Sequence, residues 1–294
     1  MRLVFMSFFV LGVLLMSTAP ASCAESKQGV LLVAFGTSQE DALRSYAAIE
    51  ADFRSAFGEQ PLAWAFTSKI IRTKMAKAGK TMLSIEQALD SLAKQGVKAL
   101  KVQSLHVTSG EEFGYMERAV LAHVMRNPGQ FDSVTVGRPL LESLADREAV
   151  IFAVLASLPA ERTAADAVVF MGHGQEHGRG EMILQSLASG LSERDPLAFF
   201  ATVEGAISFD GVREALQSKG IKKVWLQPFM IVAGEHAKND MLGDEDDSWA
   251  SQLKAAGMDV QSVMRGLGEL AGIRALFVKH AQEGTGDVAA LKAD

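Results

Sequence analysis

Apolar residues fall along this chain in two kinds of run, and the two kinds alternate. In one, every position is apolar: Gly29-Val-Leu-Leu-Val-Ala-Phe35, Leu62-Ala-Trp-Ala-Phe66 and Ala167-Val-Val-Phe-Met171. A strand covered on both faces, as in a parallel sheet, requires such a run, whereas a half-buried strand alternates apolar with polar. In the other kind, apolar residues recur every three or four positions. Residues 84–94 put Ile85, Ala88, Leu89 and Leu92 on one stripe and stop at Gly96, which predicts an amphipathic helix. On these grounds strands are predicted over 29–35, 62–66, 97–107, 133–136, 167–171, 197–203 and 223–232. Helices are predicted from Glu40 onward and over 84–94, 144–158 and 209–219. Ser38 followed by Asp41 predicts a capping box at the first helix. Strand, turn and helix in repeated succession imply an α/β chain with parallel sheets.

The pattern restarts midway. Gln103-Ser-Leu-His106-Val-Thr-Ser-Gly110-Glu111-Glu112 is matched by Gln227-Pro-Phe-Met230-Ile-Val-Ala-Gly234-Glu235-His236, with Gln, Gly and Glu at an offset of 124. A second match, Val136-Gly-Arg138 to Glu142 against Val263-Met-Arg265 to Glu269, carries an offset of 127 that continues from Arg147 to Arg274. Internal duplication predicts two α/β lobes, residues 25–150 and 151–294, with a cleft between them. Ligands of open parallel sheets bind beyond the carboxyl ends of the strands. Glu112, His173 and His236 all fall just past such ends.

Composition narrows the picture. Arg2 precedes an apolar stretch, Leu3 to Met16, and then the small-residue segment Ser17 to Ala24. This pattern predicts a signal peptide over residues 1–24, cleaved after Ala24, and a periplasmic mature chain. A membrane anchor and a lipoprotein attached through Cys23 are the competing readings. Cys23 is the single cysteine, so the mature chain has no disulfide and no thiolate metal site. Loss of Arg2 takes the net charge from −6 to −7. No basic run stands out, which argues against nucleic acid, and no apolar run after residue 24 is long enough to span a membrane.

The candidate chemistry rests on histidines and carboxylates. His173 sits in Gly172-His-Gly174 directly after a buried strand, and flanking glycines let the chain turn and leave the imidazole uncovered. A neutral imidazole binds Co2+, Fe2+, Ni2+ or Zn2+ and accepts protons. His236 and its repeat counterpart Glu112 would face the same cleft, with Glu111 as the competing carboxylate. His177 stands four residues after His173, either as a second ligand or as a loop histidine. His106 is placed inside a strand, and its pairing with Met230 in the repeat favours a buried or cleft-wall position. His123, on an apolar helical stretch, is either a buried interface histidine or an axial haem ligand. His280 is expected in solvent, and Asp244-Glu-Asp-Asp247 is expected as a solvated turn. Gly36-Thr-Ser38 suits an anion at a helix start, but no Gly-x-Gly-x-x-Gly or Walker pattern supports a nucleotide.

These segments together resemble the anaerobic sirohydrochlorin cobaltochelatase family, the ATP-independent class II chelatases of ferrochelatase-like fold. The matching stretches are Leu31 to Ser38, Ala65 to Ser68, Val102 to Val107 with Gly110-Glu-Glu112, Gly172-His-Gly174 and Gly234-Glu-His-Ala-Lys-Asn-Asp240. The resemblance implies a chelatase-like fold of two Rossmann-like lobes with a tetrapyrrole in the cleft between them. It also implies that His173, His236 and Glu112 handle the incoming metal, Co2+ or Fe2+, without a nucleotide. Lys69, Arg72 and Arg179 are candidates for holding the macrocycle's carboxylates, and a homo-oligomer is expected. The signal peptide departs from the family, whose cobalamin chemistry belongs in the cytoplasm. The rival reading is an exported two-lobed binding protein that carries a metal or a metallated tetrapyrrole without chemistry.

Overall fold

The structure, a computed structural model, describes residues 26–175 and 178–290. The expected signal peptide and His177 lie outside the described residues. The first half contains β1 (Gln28–Ala34), α1 (Leu43–Phe57), β2 (Leu62–Phe66), α2 (Lys69–Lys77), α3 (Ile85–Lys94), β3 (Ala99–Ser104), α4 (Glu111–Arg126), β4 (Ser133–Gly137) and α5 (Leu144–Ala156). The second contains β5 (Ala167–Gly172), α6 (Arg179–Arg194), β6 (Ala198–Thr202), α7 (Phe209–Ser218), β7 (Lys223–Pro228), α8 (Trp249–Ala255), β8 (Asp259–Ser262), α9 (Ala271–Glu283) and β9 (Thr285–Asp287).

Two sheets form, ordered β2-β1-β3-β4-β9 and β6-β5-β7-β8. Apart from β9, which runs antiparallel to β4, every pairing is parallel, and the first four strands repeat the order of the second sheet. The duplication is therefore one of topology. The all-apolar runs are explained by what covers each face. Val30, Leu32 and Ala34 of β1 join a central core with Ile49 and Phe53 of α1, while Leu31 and Val33 face Ile85, Leu89 and Met116 on the outside. In β5, Val168 and Phe170 enter the same central core, and Val169 and Met171 face an outer cluster with Leu216 and Leu253. Full burial of one such side chain contributes about 1.5–3 kcal/mol. The helix over 84–94 forms as predicted, with Ser84 as its cap in a reciprocal capping box with Gln87.

Three expectations are corrected. The Ser38–Asp41 capping box does not form. A short 3-10 turn, Glu40–Ala42, starts instead with no side-chain cap, and Asp41 pairs with Lys238 of the other half at 3.0 Å. The lobes are also not split at 150/151, a point that falls inside α5. Helix α5 packs against α6 of the second half, while α9 returns onto β3 and β4 of the first and leads into β9 at that sheet's edge. These exchanged helices are repeat equivalents: each has 13 residues. Finally, His280 is not in solvent. It is fully buried and meets Asp146 of α5 at 3.1 Å, so the two exchanged helices share a buried pair. Burial alone would push the Asp146 carboxyl up; hydrogen bonds from Ser143 and His280 outweigh it and hold the group below its ordinary value.

Candidate active site

The carboxyl ends of β1, β3, β5 and β7 open onto one cleft of about 600 Å³ between the halves. Strands β3 and β7 stop earlier than their apolar runs predict, for one reason. Backbone N–H groups of Leu140 and Leu141 take the carbonyls of His106 and Val107, and Leu267 and Gly268 take those of Met230 and Ile231 in the equivalent place. Each chain thus leaves its ladder and bends into the cleft wall. His106, placed inside a strand by the sequence, stands past its end.

His173 follows β5 and is exposed at the cleft. Gly174 turns the chain with φ +84°, and a Cβ there would lie 1.6 Å from the Glu204 carbonyl oxygen, so only glycine fits. His236 follows β7 just before a five-residue π-type turn, Ala237–Met241. The two imidazoles stand edge to face with centroids 4.9 Å apart. Their tautomers follow from their hydrogen bonds. His173 Nδ1 meets the Gly174 carbonyl at 3.2 Å, and His236 Nδ1 meets Asp240 Oδ2 at 2.6 Å. Both partners only accept, so both Nδ1 atoms donate, and in the neutral imidazole each Nε2 carries a bare lone pair, the form a metal or a proton requires.

Glu112 enters from the first half, in the first turn of α4 (Glu111–Arg126). It lines the same cleft, and its Oε2 is buried with no partner among the described residues. Glu111 lines the cleft too but is exposed. The structure thus brings His173, His236 and Glu112 to one cavity. It adds two residues that sequence reasoning missed. Glu204 places a carboxylate oxygen 3.9 Å from His173 Nδ1. It was findable as the first residue past the strand predicted over 197–203. Asp240 was findable as the i+4 neighbour of His236. Among the described residues, no three His, Cys, Asp or Glu side chains are gathered to hold a metal ion.

His106 is a different kind of histidine. It is 9% exposed, and burial lowers its pKa to about 4. Ser104 Oγ accepts the His106 backbone N–H and also meets Nδ1 at 2.9 Å. The buried hydroxyl has no other acceptor among the described residues, so it donates to Nδ1 and leaves the proton on Nε2. In this tautomer His106 has no free lone pair to offer. His123 does not line the cleft; it is buried on α4, with Nε2 3.0 Å from Gln130 Oε1, which leaves the haem-ligand expectation without support. Arg72 Nη1 donates to the Phe66 carbonyl, and neither it, Lys69 nor Arg179 lines the cleft. Residues Asp244 to Asp247 form the exposed turn expected.

Two α/β lobes with paired imidazoles and a carboxylate in the cleft between them make a chelatase-like arrangement. The sequence profile of the cobalt chelatase (CbiK) family matches residues 28–285. A sirohydrochlorin cobaltochelatase of Nitratidesulfovibrio vulgaris is 37% identical over 255 residues, covering 87% of this chain and 89% of its own. That of Salmonella typhimurium is 36% identical over 259 residues, covering 87% and 96%. The chain belongs to the cobalt chelatase family. Among solved structures, SirB of Bacillus subtilis with Fe3+ matches with a TM-score of 0.62 at 18% identity, over 90% of this chain and 96% of its own. The sirohydrochlorin chelatase SirB of the spizizenii subspecies in complex with cobalt gives 0.59 at 18%, over 87% and 94%. At these identities the likeness establishes the fold.

Proposed function

We propose that this protein inserts Co2+ into sirohydrochlorin, with His173 and His236 delivering the metal and Glu112 acting from the facing wall. The observation that carries this reading is the pair of imidazoles with bare Nε2 atoms in a cleft sized for a small molecule. Apolar side chains such as Phe35, Phe113, Phe229 and Met230 line much of the wall, as a flat macrocycle requires. An open ligand set suits a metal that is a substrate. Two imidazoles and a nearby carboxylate hold the ion long enough to present it, and no closed four-ligand shell competes with the ring nitrogens. Two pyrrole protons leave as the metal enters. Glu112, with its buried and unpartnered oxygen, and the imidazoles vacated by the metal accept them. Asp240 keeps His236 oriented and supports positive charge on it as metal or proton arrives. No step uses a nucleotide.

The test is to follow the absorbance of sirohydrochlorin with the mature chain and Co2+, with Fe2+ as a parallel arm. His173→Ala and His236→Ala should each slow insertion by on the order of a hundredfold or more. Wild-type rates in both variants would remove the site assignment. Many turnovers per chain are expected; stoichiometric binding without turnover would favour the carrier reading. The leader-like residues 1–24 support a periplasmic mature chain. N-terminal sequencing of protein from the periplasmic fraction should begin at Glu25, and an intact Met1 in cytoplasmic protein would overturn that placement.

A further inference from the structure

The cleft has the wrong charge for its macrocycle. Among the described residues that line it are four glutamates, Glu111, Glu112, Glu204 and Glu235, and no lysine or arginine. Such a cavity concentrates divalent cations and repels carboxylates. Sirohydrochlorin carries carboxylates around its rim, and no lysine or arginine among the described lining residues meets them inside the cavity. Helix α2 is the wall that has cations to offer. Its Ile71 lines the cleft, and Lys74 stands one turn further along the same side. Lys69, Thr73 and Lys77 follow on the adjoining stripe, around a shallow hollow that also holds Ile70, 79% exposed. The helix has no acidic residue of its own. Lys69 and Lys77 have no carboxylate partner among the described residues. Lys74 has one, Glu235 of the second lobe, at 3.8 Å with both side chains about half exposed. A pair so long and so solvated contributes little and exchanges easily.

We infer that α2 is the cationic rim that receives the peripheral carboxylates of the tetrapyrrole, with Lys74 leaving Glu235 for a substrate carboxylate at the mouth of the cleft. The exposed Ile70 gives the macrocycle edge an apolar contact beside the charges. Lysine suits this role, because a point charge on a flexible stem adapts to carboxylates that differ in reach. The cleft and its rim thus divide the two substrates by charge, acid for the metal and base for the ring. This inference rests on the chelatase reading above.

Steady-state insertion by the full mature chain, with sirohydrochlorin and Co2+ varied separately, tests it. Lys74→Gln should raise the KM for sirohydrochlorin roughly three- to tenfold and reduce its salt dependence, while the dependence on Co2+ is unmoved. Lys69→Gln and Lys77→Gln should act in the same direction with smaller effect, and Lys254→Gln, on α8, should have none. Glu235→Gln should lower that KM by freeing Lys74, and the gain should vanish in the Lys74→Gln background. An unchanged KM in Lys74→Gln overturns the inference. So does an equal rise in Lys74→Gln and Glu235→Gln, the mark of a clamp between lobes. A wild-type chain that inserts no metal would instead sink the chelatase reading.

Discussion

The two lobes deliver their third strands to the cleft in the same way and then part company. After β3 the chain passes His106 and Gly110 and enters α4, a helix of 16 residues with Glu112 in its first turn. After β7 it passes Met230 and Gly234 and makes only a five-residue turn, with His236 at its start. The cause is in the residues that follow. Phe113, Met116, Ala119 and Val120 recur at helical spacing and bury against the outer face of the first sheet, which sustains a long helix. Beyond His236 the chain meets Asn239-Asp240, Gly243 and the exposed acidic turn, and nothing prolongs the stripe. Glu112 is therefore held on a rigid helix with one oxygen sealed, whereas His236 is half-exposed and oriented by Asp240. Duplication supplied two equivalent delivery points, and divergence gave one a carboxylate on a long helix and the other an imidazole braced by Asp240. The same split separates His106, buried and neutral, from the thioether of Met230.

The largest expected effect comes from erasing the difference. His236→Glu makes the second lobe end as the first does, and cobalt insertion should fall by on the order of 10²–10⁴. A near wild-type rate in the absorbance assay would mean that the two ends are interchangeable and would break the comparison.

A smaller effect is expected in stability. The folded pKa of His106, about 4, lies below the 6.5 of an exposed histidine. Between those values the unfolded chain binds a proton that the native state cannot. The His106 contribution is therefore fully present above about pH 6.5 and is lost as pH falls toward 4, up to about 3 kcal/mol. His106→Met copies the second lobe and should remove that part of the acid sensitivity. Urea midpoints at pH 7, 5.5 and 4.5 measure it, and parallel curves for the two chains would contradict the buried, neutral assignment.

The smallest effect sharpens the role of the imidazole braced by Asp240. Asp240→Asn should cost about tenfold in insertion, chiefly as a higher requirement for Co2+, since a partner behind the ligand orients it without touching the metal. An effect confined to sirohydrochlorin would place Asp240 on the macrocycle instead.

Much of this was legible in the chain. The runs at 29–35 and 167–171 could be read as buried strands because burial on both faces excludes polar residues from every position, and 62–66 as a strand, which lies partly buried at the sheet edge. The repeat could be read because two copies of one strand-and-loop must keep Gln, Gly and Glu in step. Local pattern also placed His173, His236 and Glu112 past strand ends, and the cleft contains all three. It failed where partners are far away in sequence. Residues 97–107 look like one strand, but the carbonyls of His106 and Val107 are claimed by Leu140 and Leu141, and so the strand stops short of His106. His280 looks like a surface residue near the end of the chain until Asp146, 134 positions away, meets it in the core.

The sequence by itself determined the alternating elements, the duplication and the residue types at each strand end, because these depend on local periodicity and on apolar burial. Only the tertiary structure decided which imidazole nitrogens are bare, which carboxylates share the cavity, which helices change lobes and where the cations stand relative to an acidic cleft. Those depend on hydrogen-bond partners and distances between segments far apart in the chain, on which local pattern carries no information.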